Sequence, residues 1–356
     1  MDQELRNRIA LTIAHRTRPR RIRQVLDMYA TATEAVARQP DLLNADALRQ
    51  AEAEMDFIER HHVRVLYYKD GDYPYRLAQC VDAPLLLYAK GNMDVNPKKV
   101  VSVVGTRMPS DRGKDWCRRL VTELAQMVPD VTIVSGLAYG IDVAAHRAAI
   151  ESKVPTIIIP AHGLDRIYPA AHRNIAVQAL ENGGILTEYP TGTEPEKYNF
   201  VARNRIIAGM ADAVVVVESK IKGGSLITAR MAQDYNREVF AFPGRADDAN
   251  SAGCNMLIKR QQAQLIENAS DLAEYMQWQV TARQPVQTSL AELVCDLTDT
   301  QRTILDLLHT DENGLHINQL VMETQLPYSD ISAQLVMMEL HDFVKSLPGG
   351  MWRAMQ

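Results

Sequence analysis

The sequence predicts an α/β protein built on a doubly wound, mostly parallel sheet, and two observations carry that reading. Six near-continuous apolar runs recur from residue 100 onward, at 100–104, 131–134, 156–159, 185–187, 213–217 and 238–242. Strands apolar on both faces are what a parallel sheet covered by helices requires. The segments between them read as helices starting near Asp111, Gly140, Pro169, Asn204 and Ser225, which supplies the strand–loop–helix rhythm. A binding crevice is then expected at the carboxyl ends of the strands.

The flanks differ from this core. A chain of 356 residues exceeds what one hydrophobic core usually serves, so further domains are expected. Residues 1–79 read as a small helical domain: Ile22, Val25, Leu26 and Tyr29 share a helical face, and 51–60 is rich in Ala, Glu and Met. At 63–68 the β-branched and aromatic residues turn the preference toward a strand. Residues 80–280 carry the α/β domain, and the polar, proline-bearing stretch 281–290 reads as a linker. Within 291–356, helices are expected at 300–308, 317–322 and 329–340, then strands at 343–347 and 351–353 around Pro348-Gly349-Gly350, which makes a winged helix. Its third helix holds Asp330 and Glu339 and no Lys or Arg, a poor surface for phosphates, so protein contact is favoured over duplex binding.

Composition narrows the class. With 46% hydrophobic residues there is still no apolar run of the roughly 18 needed to cross a bilayer, so no membrane insertion is expected. The charged start Met1-Asp2-Gln3-Glu4-Leu5-Arg6 lacks a signal-peptide core, and four dispersed cysteines (80, 117, 254 and 295) fit reduced thiols, so a cytoplasmic protein is expected. The net charge of -5 hides an asymmetry: residues 285–356 carry -7, which leaves +2 for the rest. Arg16, Arg18, Arg20, Arg21 and Arg23 crowd one segment that reads either as a polyanion contact or, with slightly more weight, as a solvated helix start.

Five stretches at expected strand ends carry anion-binding chemistry. Gly105-Thr106-Arg107 offers a tight turn, a hydroxyl and a guanidinium fork. Ser135-Gly136 leads through Gly140 to Asp142 and His146 at i, i+4; these form either an acid–base pair or a cap and a brace. The structural role is favoured because no GxSxG elbow and no third metal ligand accompanies them. Tyr168 could stack on a base or pack on the helix behind it. Arg203-Asn204-Arg205 is expected at a helix entrance, with Asn204 as cap or backbone clamp, one arginine on phosphate and the other ordering the site with Glu188 or Glu218; the alternative is two arginines held in structural salt bridges. Lys222-Gly223-Gly224-Ser225, with Thr228, opens a helix whose first amides face outward as an anion site, or is a plain helix start; its position after the fifth strand favours the first. Neither GxGxxG nor GxxxxGK[ST] is present, which sets aside dinucleotide and P-loop nucleotide binding of the usual kinds.

As an ordered set these motifs, with Val239-Phe240-Ala241-Phe242-Pro243-Gly244 and Ser251-Ala252-Gly253-Cys254-Asn255, closely resemble the DNA processing protein A family, the Smf proteins of natural transformation. The resemblance spans about residues 60–290. It implies an extended Rossmann-like domain that binds single-stranded DNA, dimerises and helps load the RecA recombinase, an N-terminal domain of sterile-alpha-motif type and a C-terminal winged helix. Carried onto this sequence, the expected DNA contacts are Gly105, Thr106, Arg107, Ser135, Gly136, Tyr168, Arg203, Asn204, Arg205, Lys222, Gly223, Gly224, Ser225 and Thr228. Asp142, His146 and Glu188 are expected to support them; no catalytic residue, metal or cofactor is expected. Thr106 stands where many relatives have serine, and Gln261-Gln262-Ala263 lacks a glycine that many carry before the alanine. The rival class is a nucleotide-processing enzyme resembling the phosphoribohydrolase (lysine decarboxylase-like) proteins, disfavoured because their Pro-Gly-Gly-x-Gly-Thr stretch is absent at Lys222–Thr228.

Overall fold

The structure is a computed structural model that describes residues 2–280, 297–311, 314–340 and 343–355. The chain divides into two compact units, Met1–Ala282 and Arg283–Gln356. The expected linker at 281–290 lies outside the described residues.

The first unit opens with four helices, α1 (Gln3–His15), α2 (Pro19–Leu26), α3 (Ala32–Arg38) and α4 (Ala45–His61). Asp2, Thr31 and Asn44 cap α1, α3 and α4 by accepting first-turn amides. There follow β1 (Arg64–Tyr67), α5 (Tyr75–Ala78), β2 (Leu86–Lys90), β3 (Lys99–Val104), α6 (Asp111–Met127), β4 (Val131–Ser135), α7 (Ile141–Glu151) and β5 (Thr156–Ile158). Then come α8 (Arg173–Ala179), β6 (Gly183–Thr187), α9 (Lys197–Met210), β7 (Ala213–Val216), α10 (Ser225–Asp234), β8 (Glu238–Ala241), α11 (Ala252–Lys259), β9 (Gln264–Leu265) and α12 (Ala269–Tyr275).

The nine strands form one sheet in the order β1-β2-β6-β5-β4-β3-β7-β8-β9. From β6 to β9 all pairings are parallel, while β1 and β2 extend the sheet antiparallel. All six expected strands are present. Successive residues of a strand face opposite sides, so Val101 and Val103 join the cluster of Leu120, Leu124 and Phe240, while Val100 and Val104 join that of Ile206, Ile207 and Val216. The order reverses between β3 and β7, which places the switch point of the sheet at the loops after Val104 and Val216.

The expected boundary after residue 79 falls inside a compact unit, because β1 already belongs to the sheet and the helices ahead of it are bonded to the body. The Glu54 carboxylate accepts the Thr191 amide at 2.8 Å and its hydroxyl at 2.6 Å, and the Tyr68 hydroxyl donates to Asp27 at 2.7 Å. The turn that lacks a glycine is made with Gln261 in the left-handed region at φ 55°.

The second unit holds α13 (Asp299–Leu308), β10 (Leu315–His316), α14 (Ile317–Thr324), α15 (Tyr328–Leu340), β11 (Val344–Leu347) and β12 (Met351–Ala354), with sheet order β10-β12-β11. Thr298 and Gln301 form a capping box on α13, and Ile304, Leu320, Ile331 and Leu335 are fully buried. This is the expected winged helix. On α15, Tyr328, Val336, Met337 and Leu340 are exposed, so its outer surface is apolar and acidic rather than cationic.

One buried ion pair fixes the amino edge of the sheet. Arg76 reaches both Asp212 oxygens, at 2.6 and 2.8 Å, and donates to the Pro97 and Lys98 carbonyls, while Asp212 also accepts the Val100 amide. Removing Arg76, itself buried, takes the donor from the Pro97 and Lys98 carbonyls and from the partly exposed Asp212 carboxylate. Arg76→Ala is expected to cost about 3 kcal/mol or more in urea unfolding of the 1–282 transition; an unchanged midpoint would contradict this account.

Candidate functional site at the switch point

The loop after β3 is tied to its neighbours through Thr106. Its amide donates to the Glu218 carbonyl at 2.8 Å, and its carbonyl accepts the Ile141 amide at 3.2 Å, so the loops after β3 and β7 meet the start of α7. Gly140 lies directly over the Thr106 carbonyl at φ +83°, where any Cβ would collide with it. The Thr106 hydroxyl accepts the Met108 amide at 3.2 Å and shapes its own turn. Arg107 is exposed, and its guanidinium lies 5.0 Å from the centre of the Phe200 ring. Phe200 in turn stands 5.9 Å from the ring of Tyr168, which is 44% exposed. A free cation and two aromatic rings thus line one crevice.

Ser135 and Gly136 play a different part from the one expected. The Ser135 side chain is fully buried and its hydroxyl donates to the Val103 carbonyl at 2.7 Å, so it bonds β4 to β3 and faces no ligand. The Gly136 carbonyl accepts from Arg203 at 2.8 Å, and a Cβ at Gly136 would run into that guanidinium. Asp142 is buried beneath this loop and accepts backbone amides from it; burial raises its pKa, with Arg203 working against the rise. His146 does not bond Asp142. Its Nδ1 is 2.7 Å from the Thr156 hydroxyl, which donates to the Ile133 carbonyl, so His146 braces α7 against β4 and β5. Burial pushes its pKa down to about 3 and leaves the ring neutral.

The Arg203-Asn204-Arg205 stretch requires a correction. The helix expected to begin at Asn204 begins at Lys197, so Asn204 caps nothing and the two arginines sit mid-helix on diverging faces. Arg203 donates to the Gly136 and Ile159 carbonyls, and burial lowers its pKa to about 10, so it stays a cation at neutral pH. Arg205 pairs with Glu188, as one of the two expected partners; burial raises the Glu188 pKa and the arginine charge opposes the rise. Both arginines are buried, so neither guanidinium is free in the crevice. Glu218 instead accepts the Ser110 amide and hydroxyl at the entrance of α6.

The loop after β7 presents Lys222 and Gly224 to solvent, and α10 starts without a side-chain cap, its Leu226 and Ile227 amides donating instead to the Gly223 and Gly224 carbonyls at 3.2 and 3.1 Å. The Ser225 hydroxyl donates to Ser219 at 2.8 Å and Thr228 is buried, so these two side chains face inward. The sequence reading gave Phe200 no role. Its signal was an aromatic ring three residues before Arg203, one helical step away on the same face; its centre lies 5.8 Å from that guanidinium. Among the described residues no group of three His, Cys, Asp or Glu could hold a metal, and no helix is long and apolar enough to cross a membrane.

Fold and site together define a Rossmann-like α/β protein with an anion-receptive switch point, carried on one chain with a winged helix. The chain belongs to the DNA recombination-mediator protein A family, which it matches over residues 64–277, and residues 288–350 match the DprA winged helix domain. It is 35% identical to Protein Smf of Synechocystis over 327 residues, 82% of this chain and 81% of that one. It is 42% identical to DNA processing protein DprA of Streptococcus pneumoniae over 207 residues, 58% and 72% of the two chains. The crystal structure of the Streptococcus pneumoniae protein superposes with a TM-score of 0.56 at 35% identity, covering 65% of this chain and 82% of that one. DNA processing protein A of Helicobacter pylori, whose structure concerns its single-stranded DNA binding mode, superposes at 0.54 and 31% identity, covering 60% and 95%.

The buried imidazole has a consequence in solution. Unfolding returns His146 to its ordinary value of 6.5, so below that pH the unfolded chain binds a proton that the folded chain refuses until about pH 3. Its contribution is therefore complete above pH 6.5 and is lost as pH falls toward 3. The raised carboxyls of Asp142, Glu54 and Glu188 slope the opposite way, so the parent must be compared with a variant. Between pH 6.5 and 5 the parent should lose about 2 kcal/mol more than His146→Gln in urea unfolding; parallel profiles would refute a neutral buried ring.

Proposed function

We propose that the chain binds single-stranded DNA across the switch-point crevice, chiefly through the phosphate backbone, and acts as a recombination mediator that loads RecA on incoming DNA in natural transformation. It works without catalysing a reaction, as a homodimer in the cytoplasm. The observation that carries this reading is the exposed Arg107 guanidinium laid over Phe200 beside the half-exposed Tyr168, on a loop whose Thr106 amide is bonded to the Glu218 carbonyl after β7. A cation and stackable rings suit a flexible strand and tolerate any sequence. Gly105, Thr106 and Asn204 complete the surface, whereas Gly136, Ser135, Arg203, Arg205, Ser225 and Thr228 hold it in shape. The single-stranded DNA binding mode of the Helicobacter pylori relative supports the choice of strand. Burial pushes the Cys80 and Cys254 thiols up to about 11 and about 12, which keeps them protonated, and Asp142 is not bonded to His146; both favour binding over catalysis.

Affinity for oligo-dT and for mixed-sequence strands should fall together as salt rises, and duplex of equal length should bind less tightly. Arg107→Ala should weaken binding about tenfold and Arg107→Lys less, because lysine keeps the charge and loses the fork. An Arg107→Ala protein that is folded and binds like the parent would move the phosphate elsewhere. A 1–284 truncation should bind strands as well as the full chain or slightly better at low salt, since the residues removed carry about seven negative charges. A large loss of affinity in that folded truncation would assign DNA contacts to the winged helix.

A further inference from the structure

Three arginines that neither the fold nor the crevice uses lie together where α1 gives way to α2. Arg18, Arg20 and Arg21 are exposed, and among the described residues no carboxylate forms an ion pair with any of them. The arginines around them are committed: Arg8 to Glu4 and Asp70, Arg16 over the Tyr189 ring, and Arg23 to the Ala78 and Cys80 carbonyls. The first turn of α2 holds no acidic residue, so the three free charges repel one another and the positive end of the helix dipole. That repulsion costs stability, and an anionic partner relieves it.

The patch borders the crevice. Arg16, Arg18 and Arg20 line a cavity of about 400 Å³ together with Tyr198, Val201 and Ala202 of α9. Phe200, which lies under the Arg107 guanidinium, belongs to the same first two turns, one residue from Val201 and so roughly 100° round the helix. Crevice and patch therefore flank one helix, about 10–12 Å wide with its side chains. Lys197, Tyr198 and Val201 are exposed on those turns, Tyr198 by 64%. The carboxylates along the way are occupied or balanced: Glu188 pairs with Arg205, Glu194 with Arg166, Asp82 accepts the Tyr235 hydroxyl at 2.6 Å, and Glu196 adjoins Lys197. An exposed ring between two cationic stations suits a chain of phosphates and bases better than an acidic protein face, which has no base to stack. We propose that the bound strand does not end in the crevice: it crosses the start of α9, and its phosphates continue onto Arg18, Arg20 and Arg21. This second station presupposes strand binding in the crevice, yet each can fail without the other.

The test is fluorescence anisotropy of the full chain with labelled oligo-dT of about 4 and about 16 nucleotides, the span of single-strand sites, across a range of salt. The parent should bind the long strand more tightly and with the steeper salt dependence. Arg18→Ala, Arg20→Ala and Arg21→Ala combined should flatten the long-strand slope of log affinity against log salt by about two, at about 0.7 per lost phosphate contact. Binding of the short strand should stay at the parent's level. Lysine at the same three positions should restore the slope, which counts charges, and because the side chains are exposed the thermal midpoint should hold in both variants. Arg107→Ala should weaken both lengths. If the alanine variant keeps the parent's length dependence and slope while Arg107→Ala loses affinity, the crevice stands and the second station is wrong. If the folded alanine variant loses the short strand as well, and Arg107→Ala loses neither, the strand lies on the arginine segment alone and the path across α9 is wrong.

Discussion

The structure depends on a crossover helix that buries two guanidinium groups. Between β6 and β7 the chain must pass β5, β4 and β3, and α9 makes that passage. Arg203 points to the carbonyls of Gly136 and Ile159 at the ends of β4 and β5, and Arg205 to Glu188 just beyond β6. The Ser102 hydroxyl donates to the Ile207 carbonyl of the same helix, from the middle of β3. Three strand ends and the middle of a fourth strand are thereby referred to one rigid element. Buried cations are tolerated here because each meets oxygens that the strand ends leave free, and such a cation is strongly destabilising once its partners are removed.

This arrangement divides labour between charges. The guanidiniums that hold the crevice are withdrawn from solvent, and the exposed one, Arg107, comes from a short loop over an aromatic ring. Glycines sit where the layers come closest: Gly140 against the Thr106 carbonyl and Gly136 against Arg203. On the proposed function, preorganisation of this kind lets a shallow surface bind a flexible polyanion without reordering itself, so little of the binding energy is spent on the protein. The same helix also separates two environments, the crevice of Arg107, Phe200 and Tyr168 and the cavity floored by Glu188 and Arg205.

The arginine-rich segment after α1 is divided between structure and solvent. Arg23 is committed to structure, donating to the Ala78 and Cys80 carbonyls and lying 5.0 Å from the Tyr68 ring. Arg18, Arg20 and Arg21 remain exposed, and Arg16 is half-buried over Tyr189. One run of like charges thus anchors the N-terminal helices at one end and faces a cavity at the other.

The sequence alone determined the parallel sheet, because runs apolar on both faces have no other soluble home, and it determined the winged helix from three helical periods and a Pro-Gly-Gly turn. It also located Gly105–Arg107 and the Lys222–Ser225 loop at strand ends, since glycine and charge interrupt apolar runs there. Tertiary structure alone decided which polar groups are free. Ser135, Ser225 and Thr228 look like ligand hydroxyls in a linear reading, and packing turns each of them inward. The start of α9 was misread because a helix entrance was inferred from the polar Arg203-Asn204-Arg205 stretch, whereas burial against strand-end carbonyls and Glu188 makes those arginines helix interior. Local pattern reports periodicity; it does not report which oxygens lie across a sheet, and those decide whether a cation binds a ligand or the fold itself.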